Sequence, residues 1–115
     1  MIVLISGSRH FCDYVLFSQI LDLVLIPNPF FIFGDCKGAD SLAKRYADER
    51  KICYEIYRAD WKKGLSAGPI RNKKMINIGH PDIGIFFISK ESKGTKQCLG
   101  YAKMKKIKCI KIPVS

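Results

Sequence analysis

The chain has 115 residues, close to the modal size of one folded domain, and 48% of them are hydrophobic, enough to bury a core. Twenty basic against ten acidic side chains give a net charge of +10, which favours polyanionic partners and says nothing about fold. Five cysteines, odd in number and without C-x-x-C spacing, fit neither a zinc site nor a secreted disulfide framework.

The N-terminus runs from Met1 straight into an apolar pattern, without the basic region or cleavage site of a signal peptide. The most apolar stretch, Ile20 to Phe33, is broken by Asp22, Pro27, Asn28 and Pro29, short of the roughly 20 apolar residues of a membrane span. A cytoplasmic protein folded as a single domain over residues 1–115 is expected, with no membrane partner. Four of the cysteines lie in or beside apolar runs and are expected as core filler, with Cys36 the exception.

Ile2 to Ile5 is a continuous apolar run closed by Ser6-Gly7-Ser8, which predicts a strand buried on both faces. Asp13 can cap a helix running to about Ile26, so apolar around its circumference that it must be deeply packed or face another subunit. Self-association as a homodimer or larger assembly is therefore expected. Pro27-Asn28-Pro29 stops the helix, and Phe30 to Phe33 is a second buried strand.

Gly34 to Gly38 turns the chain into a helix with Ala39, Leu42, Ala43, Tyr46 and Ala47 on one face. Ile52 to Tyr57 forms a third strand, and Glu55 within it predicts an edge position. Ala59 to Gly68 has no period and is expected as a long loop. Pro69 suits the first turn of a helix that ends at Gly79. Ile83 to Ile88, Thr95 to Lys106 and Ile107 to Ile112 complete the chain as strand, basic helix and strand.

This alternation predicts an α/β, Rossmann-like three-layer sandwich with a five-stranded parallel sheet of order 3-2-1-4-5. The switch point then lies between the first and fourth strands, and ligands belong in the crevice above their C-terminal ends.

Four segments converge on that crevice. In Gly7-Ser8-Arg9, small residues let backbone N–H groups approach an anion and Arg9 can add a bidentate contact. Gly34 to Asp40 offers Gly34, Lys37, Gly38 and a helix N-terminus, with Asp40 either capping the helix or reaching a ligand hydroxyl. It is neither a Walker loop nor a G-x-G-x-x-G fingerprint.

Trp61 could stack on a base or plug a loop. Arg71 and Asn72 follow at a helix start, where a cation opposes the dipole and calls for an anion nearby. Gly94 and Thr95 open the last helix, Thr95 either as its cap or as a phosphate ligand. His10 and His80 lack partners at metal-ligand spacing, so neither a metal nor a cofactor is expected.

Taken together, Gly7-Ser8-Arg9, Gly34 through Asp40, Asp60-Trp61, Gly68 through Asn72 and Lys93-Gly94-Thr95 resemble the YspA-like branch of the SLOG superfamily over nearly the whole chain. The resemblance implies a Rossmann-like fold that binds nucleotides or nucleotide-derived signals. Relatives that hydrolyse nucleoside monophosphates carry G-G-x-G-T-x-x-E after the fourth strand, where this chain has Gly94-Thr95 and Cys98 at the glutamate position. The family loop after the second strand commonly has a further glycine and an arginine, where Asp35 and Lys37 stand here.

The reading is a nucleotide-type ligand held by its phosphate, without turnover. The alternatives are a hydrolase of N-glycosidic or phosphate bonds using Asp40 or Asp60, and a nucleic-acid module using the lysine-rich C-terminal helix.

Overall fold

The computed structural model describes residues 1–24 and 27–115. In chain order the elements are β1 (Ile2–Gly7), α1 (Tyr14–Val24), β2 (Phe30–Gly34), α2 (Ala39–Arg50), β3 (Tyr54–Tyr57), a 3-10 helix (Trp61–Ser66), α3 (Ala67–Gly79), β4 (Ile83–Ile88), α4 (Lys93–Met104) and β5 (Lys108–Pro113). The strands form one parallel sheet in the order β3-β2-β1-β4-β5, the order the sequence predicts.

The three central strands β1, β2 and β4 read as apolar runs because helices cover both faces of the sheet. Successive side chains point to opposite faces. Val3, Ile5, Phe31, Phe33, Ile85 and Phe87 therefore enter one core with Phe17 and Leu21 of α1 and Ala43 and Tyr46 of α2. Leu4, Ile32, Phe86 and Ile88 enter a second core with Met75 and Ile76 of α3 and Leu99 and Ala102 of α4.

At the start of the central pair, the Ile2 amide donates to the Asp82 carboxylate at 2.7 Å and the Asp82 amide returns a bond to the Ile2 carbonyl at 2.8 Å. That reciprocal pair sets the β1–β4 register, and so the height of the two loops that leave the sheet at its other end. The edges carry charge, Glu55 on β3 and Lys108 and Lys111 on β5, all exposed, which discourages pairing with further strands.

Helix boundaries follow local capping. The Asp13 side chain accepts from the Leu16 amide at 3.1 Å and opens α1 as expected. The helix is described to Val24, and its expected end at Ile26 lies outside the described residues. Phe17 and Leu21 are buried while Val15 and Leu23 are exposed, so α1 is packed on one side and open on the other.

Four expectations need correction. The segment after β3 is not a loop: Asp60 accepts from the Lys62 amide and starts a 3-10 helix, interrupted at Gly64 with φ 66°. Its three-residue turn leaves no 3.6 period to detect. Helix α3 begins at Ala67, within the expected loop, and Pro69 falls in its first turn as expected. Helix α4 begins at Lys93, so Thr95 is a buried first-turn residue rather than the cap, and the helix ends at Met104 rather than Lys106. Finally, Cys98 alone among the cysteines is buried, whereas Cys12 and Cys53 are exposed.

Gly38 sits at φ 75°, and a Cβ there would run into the carbonyls of Ser8 and Arg9. Gly100, exposed in the middle of α4, has open space at the same position. Gly38→Ala is expected to destabilise by about 2 kcal/mol or more, and Gly100→Ala to stabilise by about 0.5–1 kcal/mol. Urea unfolding of both variants checks this, and similar small effects at the two sites would contradict it.

Candidate functional site

Where β1 and β4 lie side by side, their crossovers leave in opposite directions and open a cavity of about 620 Å³, within the usual range for small-molecule sites. The loop after β1, the start of α2, the 3-10 helix, the start of α3 and the start of α4 all contribute to its wall.

The loops after the two central strands are tied together by serines. Ser8 is buried and its amide donates to the Phe87 carbonyl at 2.9 Å. The Ser89 hydroxyl donates to Ser8 Oγ at 3.3 Å and shares a 2.8 Å bond with Ser92 Oγ, which also accepts from the Ser89 amide. The Ser92 side chain, thus engaged, does not cap α4.

The consequence lies in how the starts of α2 and α4 meet the cavity. At α2 the Ala39 amide donates to the Ser8 carbonyl at 3.1 Å, and of the first turn only Asp40 lines the cavity, its carboxylate accepting from the Cys36 amide at 3.1 Å. The N-terminus of α4 is open. The amides of Gly94 and Thr95 have no acceptor among the described residues, and both residues line the cavity with Lys93. Free N–H groups at a helix N-terminus form an anion site. Across the cavity stand Ser8, Arg9 and His10.

Arg71 is fixed from several sides. Its guanidinium donates to the Asp35 carboxylate at 3.0 Å and the Tyr57 carbonyl at 3.3 Å, and its Nε donates to Asn72 Oδ1 at 2.8 Å. The side chains of Arg71 and Asp35 are only 8% and 14% exposed. Asp35 also accepts from the Ala59 amide and the Trp61 indole. Arg71 is the fifth residue of α3, not a first-turn cation in search of an anion, and Asp35 supplies its counter-charge. Gly34 makes the pair feasible, because a Cβ there would occupy the place of the guanidinium.

Trp61 is half exposed, with the Arg9 guanidinium 5.4 Å and that of Arg71 6.0 Å from its ring centroid, within cation–π range. Leu65 stands fully exposed at the cavity rim. Asp40 is buried in the wall, and burial, opposed by the Cys36 amide and Arg71, pushes its carboxyl up to about 6.

The site residues singled out by sequence fall into two groups. Gly7, Ser8, Arg9, Asp40, Trp61, Arg71, Asn72, Gly94 and Thr95 line the cavity. Gly34 and Gly38 stand behind it as space-making residues, Lys37 is exposed away from it, and Asp60 is exposed and caps the 3-10 helix. His10 is at the cavity, whereas His80 closes α3 at φ 47°. No cluster of three metal-ligating side chains occurs among the described residues.

Sequence reasoning missed the serine chain through Ser89 and Ser92 and gave Cys36 no part in the wall. Cys98, at the position where the hydrolase relatives carry glutamate, is a buried thiol pushed up to about 12 by burial. It is neutral at physiological pH and supplies no carboxylate.

A family model described as YAcAr, the YspA, cpYpsA-related SLOG family, matches residues 1–64. No curated protein and no solved structure matches the chain.

An ordinary aspartate titrates at 3.8, and Asp40 in the fold at about 6. The folded state therefore holds the extra proton, and the stability linked to this group is full below about pH 4 and lost as pH rises through about 6. Asp40→Asn keeps an acceptor for the Cys36 amide. It is expected to gain on the parent protein between pH 4 and 7, by on the order of 2–3 kcal/mol at the upper end. Urea unfolding across that range tests the sign, and a difference that does not vary with pH would contradict it.

Proposed function

The chain belongs to the YspA, cpYpsA-related SLOG family, and from that premise we propose that the cavity binds a nucleotide or nucleotide-derived ligand by its phosphate end. Membership alone suggests nucleotide-related binding or processing. The observation that carries the finer reading is the open N-terminus of α4, whose Gly94 and Thr95 amides face the same cavity as Arg9.

A phosphate placed there accepts from both amides and the Thr95 hydroxyl, with charge from Arg9 and Lys93. Trp61 offers its ring to the base, exchanging a cation–π partner for a stacked one. Asp40 and Asn72 supply polar recognition deeper in the wall. Arg71 acts by holding Asp35, Asn72 and the Trp61 segment in place, since its charge is already matched. Lys37 stands outside the cavity and takes no part in the phosphate site.

Binding without turnover is the better-supported form. Asp60 stands outside the cavity, Cys98 is a neutral buried thiol, and Asp40 is left as the carboxyl lining the cavity beside the exposed Glu91. One buried acid without a positioned partner does not make the pair that glycosidic cleavage calls for.

A thermal-shift panel of nucleoside mono- and diphosphates, cyclic nucleotides, ADP-ribose and NAD tests the proposal. At least one is expected to raise Tm, with Arg9→Ala and Thr95→Val each weakening its binding about tenfold, the worth of one charge-assisted or buried hydrogen bond. Folded protein stabilised by no member of the panel would contradict it.

A further inference from the structure

The net charge of +10 is not spread over the molecule. Residues 1–59 hold seven basic and seven acidic side chains, while residues 60–115 hold thirteen basic and three acidic. The whole surplus belongs to the half of the chain that builds the 3-10 helix, α3, β4, α4 and β5.

On the α1–α2 face, charges are matched in pairs: Lys44 with Asp48, Arg45 with Glu49, and Arg50 with Asp22. On the other side of the sheet, neither α3 nor α4 contains an acidic residue. None of the twelve lysines in residues 60–115 forms an ion pair among the described residues. Accumulated like charge opposes folding by self-repulsion, and a solvated surface has no need to keep it on one face.

The lysines are also arranged. Lys93, Lys96 and Lys103 are exposed at spacings of three and seven, one stripe along α4, with the bare backbone of Gly100 between the last two. From α3, Lys73 Nζ comes within 5.7 Å of the Tyr101 ring centroid, and Lys105 Nζ reaches the same ring at 5.5 Å. Asn77 and the Tyr101 hydroxyl exchange bonds of 2.8 and 3.0 Å that hold the two helices in register. The result is a band of cations around one aromatic ring.

We infer that the α3–α4 face binds nucleic acid, with Lys73, Lys96, Lys103 and Lys105 on the phosphate backbone and the ring of Tyr101 against sugar or base. A regular line of cations with an aromatic platform matches a single strand, whose backbone is a line of phosphates and whose bases stack. A lipid surface fits less well. The exposed apolar side chains here, Ile70, Ile78 and Met104, stand near the helix ends and do not make the continuous apolar face of an interfacial helix. The surface is distinct from the cavity, and the inference stands whether or not the cavity takes a nucleotide.

The test is fluorescence anisotropy of the full chain with labelled single-stranded and duplex oligonucleotides of about 20 nucleotides, between about 50 and 200 mM KCl. Four neutralised phosphates on a single strand predict a log–log salt slope of about −3. The combined variant Lys73→Glu, Lys103→Glu, Lys105→Glu, all at exposed positions, is expected to weaken binding by about tenfold or more. Its Tm and any nucleotide-induced shift should stay as in the parent. Lys51→Glu, on the opposite side, should leave the affinity unchanged. Absence of binding at the lowest salt, equal loss in Lys51→Glu, or capture by phosphatidylserine vesicles but not by oligonucleotide would overturn the inference.

Discussion

The buried ion pair between Asp35 and Arg71 is the constraint on which the cavity's shape depends. It joins the turn after β2 to α3, and through its remaining bonds reaches the end of β3 at Tyr57, the backbone of Ala59 and the indole of Trp61. Two charges brought out of water repay their desolvation only when the geometry is good and the other polar atoms are satisfied. Here each partner makes further hydrogen bonds, and Gly34 leaves the space the guanidinium needs. An arrangement so fully bonded holds the far wall of the cavity in one position.

On that fixed wall, the two helix starts differ in kind. From the first turn of α2 only Asp40 lines the cavity, and its carboxylate is engaged by the Cys36 amide. The first turn of α4 lines it with Lys93, Gly94 and Thr95, and because the cap-position serine is bonded to Ser89, the Gly94 and Thr95 amides stay without an acceptor among the described residues. The serine chain thus does two things at once. It ties the β1 and β4 loops together, and it leaves α4 with donors available to an outside anion. The proposed phosphate position follows from that second effect.

Much of the fold was legible because its signals are strong and local. Continuous apolar runs mark strands buried on both faces, glycines and prolines mark their ends, and alternation with helices leaves few windings. The 3-10 helix was not legible, since a three-residue turn of polar residues looks like a loop. The ion pair was hidden for another reason. In the sequence Asp35 is only a departure from the family's glycine and Arg71 a cation wanting an anion, and each explains the other only when residues 36 apart meet. Thr95 was misplaced because the helix starts two residues earlier, at Lys93, which puts Ser92 at the cap position and Thr95 inside the first turn.

Charge is divided along the same line as the layers, with matched pairs over α1 and α2 and unmatched lysines over α3 and α4. The cavity lies between, its anion site borrowing Lys93 from the basic side and Arg9 from the loop after β1. The claim that the open start of α4 is the anion site is tested most directly by amide chemical shifts of labelled protein titrated with a nucleoside monophosphate. The account predicts that the largest changes fall on Gly94, Thr95, Ser8 and Arg9, with the first turn of α2 little moved. Changes centred on Ala39 and Lys37, with Gly94 and Thr95 silent, would contradict it.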